Sequence, residues 1–193
     1  MLPLLAGPMI KAQVFVPGLS CTTLEVPSHQ GAAAWNGFLE ALRLADGIVA
    51  LRFVARGDSG GKTGGCVANS EFLSQVYEIV DSRPLFIISV CRGVIDDSLL
   101  AFVGVANVVL SDQDTIFCMP RESNESAHPI VQVALKRRLS EGVLRRLMLV
   151  GDSIEATEAQ RLGLADFVGD DATVEKELAR LILRKCSPIT KTG

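Results

Sequence analysis

The chain has 193 residues, and its 19 basic and 22 acidic side chains give a formal net charge of −3. The length fits one ordinary domain, and the lack of a basic excess argues against a nucleic-acid partner. Five cysteines without a C-x-x-C pair argue against a disulfide scaffold or zinc ribbon and favour a reducing cytoplasm. The longest apolar run, Leu99–Leu110, is interrupted by Asn107 and is too short to span a bilayer. We therefore expect a cytoplasmic protein without a membrane partner.

The first half of the chain alternates short apolar runs with amphipathic segments. Residues 13–26 carry two β-branched-rich runs on either side of Pro17-Gly18, which predicts a hairpin with strands near 13–16 and 21–26. Apolar residues at helical spacing then alternate with short buried runs. This pattern predicts a helix at 33–45, a strand at 48–54, a helix at 70–81 and a strand at 85–90.

The second half continues the alternation. A helix starting at Asp96-Asp97-Ser98 is followed by two short strands, a polar stretch and amphipathic helices, one of which ends at Gly163. Strand and helix alternate throughout, which indicates an α/β domain with mostly parallel strands. The predicted elements are helix 97–106, strands 108–110 and 115–118, and helices 130–149, 155–162 and 173–185.

Three stretches resemble the crotonase, or enoyl-CoA hydratase/isomerase, superfamily. Residues 83–93 (RPLFIISVCRG) are similar to the family's K/R-P-V-I-A-A-V-N-G, and residues 117–120 (FCMP) are similar to the start of F-G-x-P-E. Residues 147–168 closely resemble L-L-T-G-D-x-I-S-A-x-E-A-x-x-x-G-L-V-x-x-V and give the most specific signal. The resemblance covers about 45–180 and implies the crotonase-like spiral of ββα units.

The resemblance also implies an assembly. Crotonase-family proteins usually form trimers, or hexamers built as dimers of trimers, and their last helices help to bury the surface between subunits. We expect a crotonase-like core at 1–170 and a truncated C-terminal helical segment at 171–193. The chain is then either a piece of a larger protein or forms its homo-oligomer without those helices. We expect its own core and a neighbouring chain to cover the apolar stripe of the last helix, formed by Val174, Leu178, Leu181 and Ile182.

The family holds the thioester carbonyl in an oxyanion hole made of two backbone N–H groups. The first comes from a loop written A-G-x-D. The favoured match, Lys62–Cys66 (KTGGC), makes Gly65 the donor with Gly64 beside it. A second register, Ala55–Asp58, makes Gly57 the donor. A glycine-rich loop without a site is the third interpretation.

The second donor of the family lies in a G-G-G run that opens the next helix. Counting back from the FCMP match without a gap places that run on Asp97-Ser98-Leu99, which makes Ser98 the donor and Asp97 its neighbour in the substrate-binding site. No glycine is present there, so side chains occupy the expected space for the thioester. Carboxylates at a helix start also interact favourably with the dipole. Plain capping by Asp96 is therefore the preferred interpretation of the acidic pair.

The family's hydratases use two glutamates to place and activate water. The first position falls on Ala101 and the second on Arg121. Glu122 is one residue further on and takes the second role only if the segment shifts locally. Ordinary enoyl-CoA hydration is thus not expected.

Decarboxylases of polyketide β-branching cassettes resemble the chain in a T-G-G element, which is Thr63-Gly64-Gly65 here. Such enzymes bind the acyl thioester, lose carbon dioxide and protonate the resulting enolate. Lys62, Tyr77 and His128 are polar groups that could assist, although each also fits a plain role as a loop, packing or turn residue.

Two functions from different classes follow from the resemblance. The first is an enzyme on acyl-CoA or acyl-carrier-protein thioesters, acting as a decarboxylase, isomerase or lyase, with CoA or phosphopantetheine entering only as part of the substrate and no metal. Glu122, Lys62 and Tyr77 are its candidate catalytic residues. The second is a catalytically silent crotonase-fold protein that binds a partner.

Overall fold

A computed structural model describes residues 21–26, 32–53, 70–119, 129–151 and 153–186. Within this part of the chain, eight strands form two sheets. The strands are β1 Cys21–Val26, β2 Ile48–Phe53, β3 Phe86–Cys91, β4 Val94–Asp96, β5 Val108–Asp112, β6 Ile116–Cys118, β7 Ser153–Glu155 and β8 Phe167–Gly169.

Seven helices accompany these strands in the described residues. None of them is long and apolar enough to cross a membrane. The helices are α1 Ala32–Leu44, α2 Ser70–Ser82, α3 Asp97–Val105, α4 Pro129–Leu135, α5 Glu141–Val150, α6 Ala156–Leu162 and α7 Asp171–Cys186.

The large sheet has the strand order β1-β2-β3-β5-β8, and all of its pairs are parallel. Its strands are nearly continuous apolar runs because both faces are covered, as is usual for parallel sheets. One face packs against the larger of the two hydrophobic clusters, which we call the main core. The main core includes side chains of α1, α2 and α3. The other face forms a smaller cluster with α7, which we call the outer cluster; it consists of Cys21, Ile48, Ala50, Ile88, Val90, Leu110, Val174 and Leu178.

The small sheet has the order β4-β6-β7, with β4 parallel and β7 antiparallel to β6. Its middle residues Ile95, Phe117 and Ile154 point into the main core. Val94 pairs with Ile116 on the opposite face, and both are partly exposed. The sheet therefore sits at the edge of the core, and its outward face borders solvent.

Aromatic rings join α1, α2 and α3 in the main core. The ring centroids of Trp35 and Phe72 are 4.6 Å apart, and those of Phe38 and Phe102 are 5.7 Å apart. Edge-to-face contacts of this kind stabilise a core beyond simple burial. They fix the orientation of α3 against the two helices that precede it.

Helices α3 and α4 approach each other closely at Gly104. A Cβ atom at this position would lie 2.4 Å from the Cβ of Ala134 and 2.5 Å from its carbonyl carbon. The missing side chain is thus what allows the two helices to pack at this distance.

The structure confirms the α/β class and the predicted strands at 21–26, 48–54, 85–90 and 108–110, within one or two residues. The predicted strand at 13–16 lies outside the described residues. The expected helix at 130–149 is wrong: the chain breaks at 136–140, where the Ser140 side chain caps α5 by accepting a hydrogen bond from the Val143 N–H.

The apolar stripe of α7 lies against its own chain. Val174 and Leu178 are buried in the outer cluster, and Leu181 and Ile182 pack against it while partly buried. The large sheet thus provides the part of the cover that was expected from the protein's own core, and the part expected from a neighbouring chain stays a prediction. How 171–193 relates to a separate core at 1–170, and whether the protein is an oligomer, stay predictions.

Candidate functional site

Strands β4 and β6 run parallel and end side by side, with Asp96 in register with Cys118. β4 leads directly into α3, and β6 is followed by the buried Met119. Segments that leave the carboxyl ends of neighbouring parallel strands meet at one edge, where α/β proteins commonly bind ligands. The described structure thus places the start of α3, to which the family resemblance assigns the second oxyanion donor, beside the end of β6.

The first turn of α3 presents backbone N–H groups at this edge. Ile116 donates its N–H to the Gly93 carbonyl at 2.9 Å. In a parallel ladder of this register the Asp97 N–H points to the Cys118 carbonyl, so Ser98 is the first residue of α3 whose N–H the ladder does not use. N–H groups of a first helical turn have no acceptor within the helix.

The preferred interpretation of Asp96 as a side-chain cap is wrong. Asp96 occupies the position before α3 with extended backbone angles (φ −124°, ψ 163°), but its side chain makes no capping hydrogen bond. Its pairing with Cys118 in the β4–β6 ladder accounts for the extended backbone angles of Asp96. The helix start is therefore not closed by the carboxylate that precedes it.

The family resemblance assigns the position of the hydratases' first glutamate to Ala101. It is 1% exposed and belongs to the main core, between the fully buried Leu100 and Phe102. A carboxylate at this depth would lose its hydration without gaining a partner. The apolar surroundings thus agree with the absence of a water-activating group here.

Tyr77 lies on α2 and packs partly buried against the main core. Its hydroxyl is buried and has no hydrogen-bond partner within the described structure, and the Arg137 guanidinium lies 5.4 Å from the ring centroid. Burial raises the pKa of Tyr77 to about 12, opposed by Arg137 and assisted by Asp81. The phenol therefore stays protonated at neutral pH.

Tyr77 contacts Arg137, which is next in sequence to a residue that binds the C-terminal end of α3. The neighbour of Arg137 in sequence, Arg138, donates a hydrogen bond to the Ala106 carbonyl, which directly follows that helix. From there to Ser98 is about 12 Å along the helix axis. The contact with Arg137 therefore does not place the Tyr77 ring beside the Ser98 N–H. A catalytic role for Tyr77 stays a prediction.

The remaining candidates cannot be placed. For Asp97 and Ser98 the structure describes the backbone but not the side chains. The convergence of the Gly65 and Ser98 N–H groups stays a prediction. The candidates that lie outside the described residues are Gly57, Lys62, Thr63, Gly64, Gly65, Glu122 and His128.

No group of three metal-ligating His, Cys, Asp or Glu side chains occurs among the residues that the structure describes. Cys91 is a buried free thiol, and burial raises its pKa far above the ordinary value. It is therefore a packing residue and not a reactive thiolate.

The sequence analysis missed a charged cluster near the amino-terminal end of β4, one short strand away from this edge. Arg52 of β2 and Arg92, which follows β3, both bind Glu175 of α7, and Arg92 also pairs with Asp171. Arg92 occupies the position at which the family motif has asparagine. This departure from the motif is the sequence signal that could have revealed the cluster.

The chain has the crotonase fold, as its similarity to solved structures shows. An enoyl-CoA hydratase/isomerase family protein from Silicibacter pomeroyi has a TM-score of 0.69 at 17% identity, covering 94% of this chain and 84% of the other. A candidate enoyl-CoA hydratase/isomerase from Mycobacterium abscessus has a TM-score of 0.74 at 17% identity, covering 94% and 78%. A methylmalonyl-CoA decarboxylase in complex with 2S-carboxypropyl-CoA has a TM-score of 0.68 at 14% identity, covering 90% and 73%.

The sequence itself is more distant from known proteins than the fold. No family model matches the chain. No curated protein matches it either. The structural similarity therefore establishes the fold and leaves the reaction to be argued from the site.

Proposed function

We propose that the protein is an enzyme that binds an acyl-CoA or acyl-carrier-protein thioester through an oxyanion hole. In this proposal it acts as a decarboxylase, isomerase or lyase and not as a hydratase. CoA or phosphopantetheine enters as part of the substrate, without a further cofactor. The protein works in the cytoplasm as a homo-oligomer, a trimer or hexamer.

The observation that carries the proposal is the start of α3. The Ser98 N–H follows the last ladder bond of β4, at the strand edge shared with β6, and no capping bond from Asp96 closes the helix start. A backbone N–H at a helix start stabilises the negative charge that develops on a thioester oxygen. The second donor is assigned to Gly65 by the family resemblance.

The choice against hydration comes from Ala101. Water activation in the family needs a carboxylate at this position, and here a small apolar side chain is buried in the main core. Decarboxylation and isomerisation need the oxyanion hole to stabilise an enolate, and they do not require an added water. One similar structure is a decarboxylase, which supports this class of reaction without deciding it.

Thioester binding is the first test. Crotonyl-CoA and methylmalonyl-CoA are added to the purified protein in thermal unfolding, with free CoA as the control. Ligand at a hundredfold over its dissociation constant stabilises the folded state by about 2.7 kcal/mol. An unchanged melting temperature with every thioester, CoA- or carrier-linked, contradicts the proposal.

Crotonyl-CoA hydration is the second test. We expect no detectable turnover, because losing one acid–base group typically costs about 10²–10⁴-fold and both family positions lack theirs. Absorbance of the conjugated thioester follows the reaction, with carbon dioxide release from methylmalonyl-CoA measured in parallel. Robust hydration would refute the reaction class while leaving thioester binding intact.

The alternative is a catalytically silent crotonase-fold protein. The residues that replace the family's G-G-G, Asp97-Ser98-Leu99, favour it, since Leu99 is nearly buried and fills space near the helix start. A silent protein would show no thioester-dependent stabilisation. It would still form the proposed oligomer, which light scattering at micromolar concentration measures independently.

A further inference from the structure

Four charged side chains join α7 to the carboxyl ends of two central strands, and we call them the α7 clamp: Arg52, Arg92, Asp171 and Glu175. Arg52 donates two hydrogen bonds to the Glu175 carboxylate, at 2.5 and 2.7 Å. Arg92 donates to the same carboxylate at 2.6 Å and also pairs with Asp171. Two guanidinium groups balance two carboxylates, so the clamp has no net charge. Its ion pairs hold α7 to the ends of β2 and β3.

The clamp connects distant parts of the chain. Arg52 is the last residue but one of β2, and Arg92 directly follows β3. Asp171 and Glu175 are one helical turn apart on α7 and lie on the same side of it. Since Val174 of that helix is buried in the outer cluster, α7 is a firm support for both arginines.

The turn that contains Arg92 is also held from the opposite side. The Thr115 hydroxyl donates to the Cys91 carbonyl at 3.1 Å, and the Ile116 N–H donates to the Gly93 carbonyl at 2.9 Å. Gly93 has φ +72°, a conformation that glycine adopts without strain and that lets β4 begin at once. The turn is therefore fixed between β6 and α7.

The fixed turn determines where α3 begins. β4 has only three residues, a length of about 10 Å, and its last residue directly precedes α3. A displacement of Arg92 is transmitted through this short strand to the Ser98 N–H. Oxyanion donors must be placed to within a fraction of an ångström to act in the transition state.

We propose that Arg92, held by Glu175 and Asp171, is a positioning residue for the Ser98 N–H. The inference rests on the proposed function, because it assigns the clamp a role in thioester binding. It makes α7 a support of the site, although no residue of the clamp needs to touch the substrate.

Hydrogen exchange of the ligand-free protein tests the positioning alone. Glu175→Gln keeps the size of the side chain and removes its charge. We expect about tenfold faster amide exchange at Ile95 and Asp97, whose N–H groups face β6 in the ladder directly before Ser98, because the turn is released on one side. Glu177→Gln is the matched control, since the ion pair of Glu177 with Arg180 stays within α7. Faster exchange confined to α7 would overturn the proposal.

Calorimetric binding of crotonyl-CoA, at a temperature where every variant is folded, tests the consequence for the site. Glu175→Gln should raise the dissociation constant at least about fivefold, and Glu177→Gln should leave it within about twofold, since only the first disturbs a preorganised donor. A lower melting temperature with unchanged affinity would show a purely structural clamp and overturn the proposal.

A second variant covers the case in which Glu175→Gln does not fold. Arg92→Lys keeps the positive charge but loses the forked geometry that binds two carboxylates. It should weaken affinity and speed exchange at Ile95 and Asp97 in the same way; an unchanged value of both contradicts the proposal. If the wild-type protein binds no thioester, the proposed function fails, and the exchange experiment still decides whether the clamp positions α3.

Discussion

The two ends of α3 are built in opposite ways. At its C-terminal end, Gly104 packs directly on Ala134, and the largely buried Arg138 donates hydrogen bonds to the carbonyls of Ala106 and Leu164. At its start, Asp96 makes no side-chain cap, and Ser98 offers a backbone N–H at the edge of the small sheet. Tight packing thus holds one end, while the other end carries the backbone N–H that the proposed function assigns to a ligand. Stability and binding should therefore respond to different substitutions of one helix.

The largest effect is expected at the tight end, from Gly104→Ala. The added methyl group would meet Ala134, including its backbone, at 2.4–2.7 Å, so α4 must move away. Overpacking of this kind costs about 3 kcal/mol, which urea unfolding measures. Gly142→Ala is the control, because nothing lies within 4 Å of its added Cβ. This control should be more stable by about 0.5–1 kcal/mol. Equal stabilities of the two variants would contradict the close approach.

Arg138→Met comes next. Its side chain is 8% exposed, and removing it takes the guanidinium donor from two carbonyls and leaves Asp166 with the Val109 N–H. Because Asp166 itself is 46% exposed, we discount the ion pair and expect a loss of about 2 kcal/mol in the free energy of unfolding. The neighbouring Arg137→Met breaks an exposed pair with Asp81 and should cost about 1 kcal/mol or less. The comparison fails if Arg137→Met is the more harmful substitution.

Acid should weaken the clamp behind the α3 start. The hydrogen bond from Arg52, aided by Arg92, lowers the pKa of Glu175 from 4.5 to about 2. A lowered folded-state pKa stabilises the protein above the unfolded pKa, and this contribution is lost as the pH falls from about 4.5 to 2. The carboxylate is 39% exposed, so the loss is about 1 kcal/mol after allowance for solvent screening. Urea unfolding at pH 6 and pH 3 should show it in the wild type and not in Glu175→Gln; an equal acid loss in both would exclude this carboxylate as its source.

The smallest effect is expected for Ser98→Ala. The substitution keeps the backbone N–H, so the affinity for an acyl thioester should stay within about twofold and the stability within about 0.5 kcal/mol. Calorimetry and urea unfolding measure the two quantities. A large loss of affinity would mean that the hydroxyl, and not the N–H, contacts the ligand.

The long elements could be predicted from local pattern because their apolar spacing extends over several turns or a whole buried strand. The strands β4, β7 and β8 have three residues each, too few for a period to show. The break between α4 and α5 was not predicted because the buried Leu135 and Leu139 keep helical spacing across it. Only the inward Arg138 and the capping Ser140 mark the interruption, and both need the folded structure to be recognised.

The candidate site, like the fold, could be predicted from the sequence only in part. The missing hydratase carboxylate was predicted from spacing to the FCMP motif, and the buried Ala101 agrees with it. The α7 clamp was missed because its partners are 83 and 123 residues apart in sequence. Ion pairs between residues so far apart leave no local pattern in the sequence. A single departure from a family motif, such as Arg92, does not show which residue it binds.

The covering of the large sheet by α7 has a consequence for how the chain folds during synthesis. The helix follows all five strands of that sheet in the chain, so the ribosome releases it after them. Until then α7 is not present to pack on Ile48, Ala50, Ile88 and Leu110 of the outer cluster. A nascent chain with such a surface is open to aggregation or chaperone binding. Completion of a single helix therefore ends the period in which the growing protein is most vulnerable.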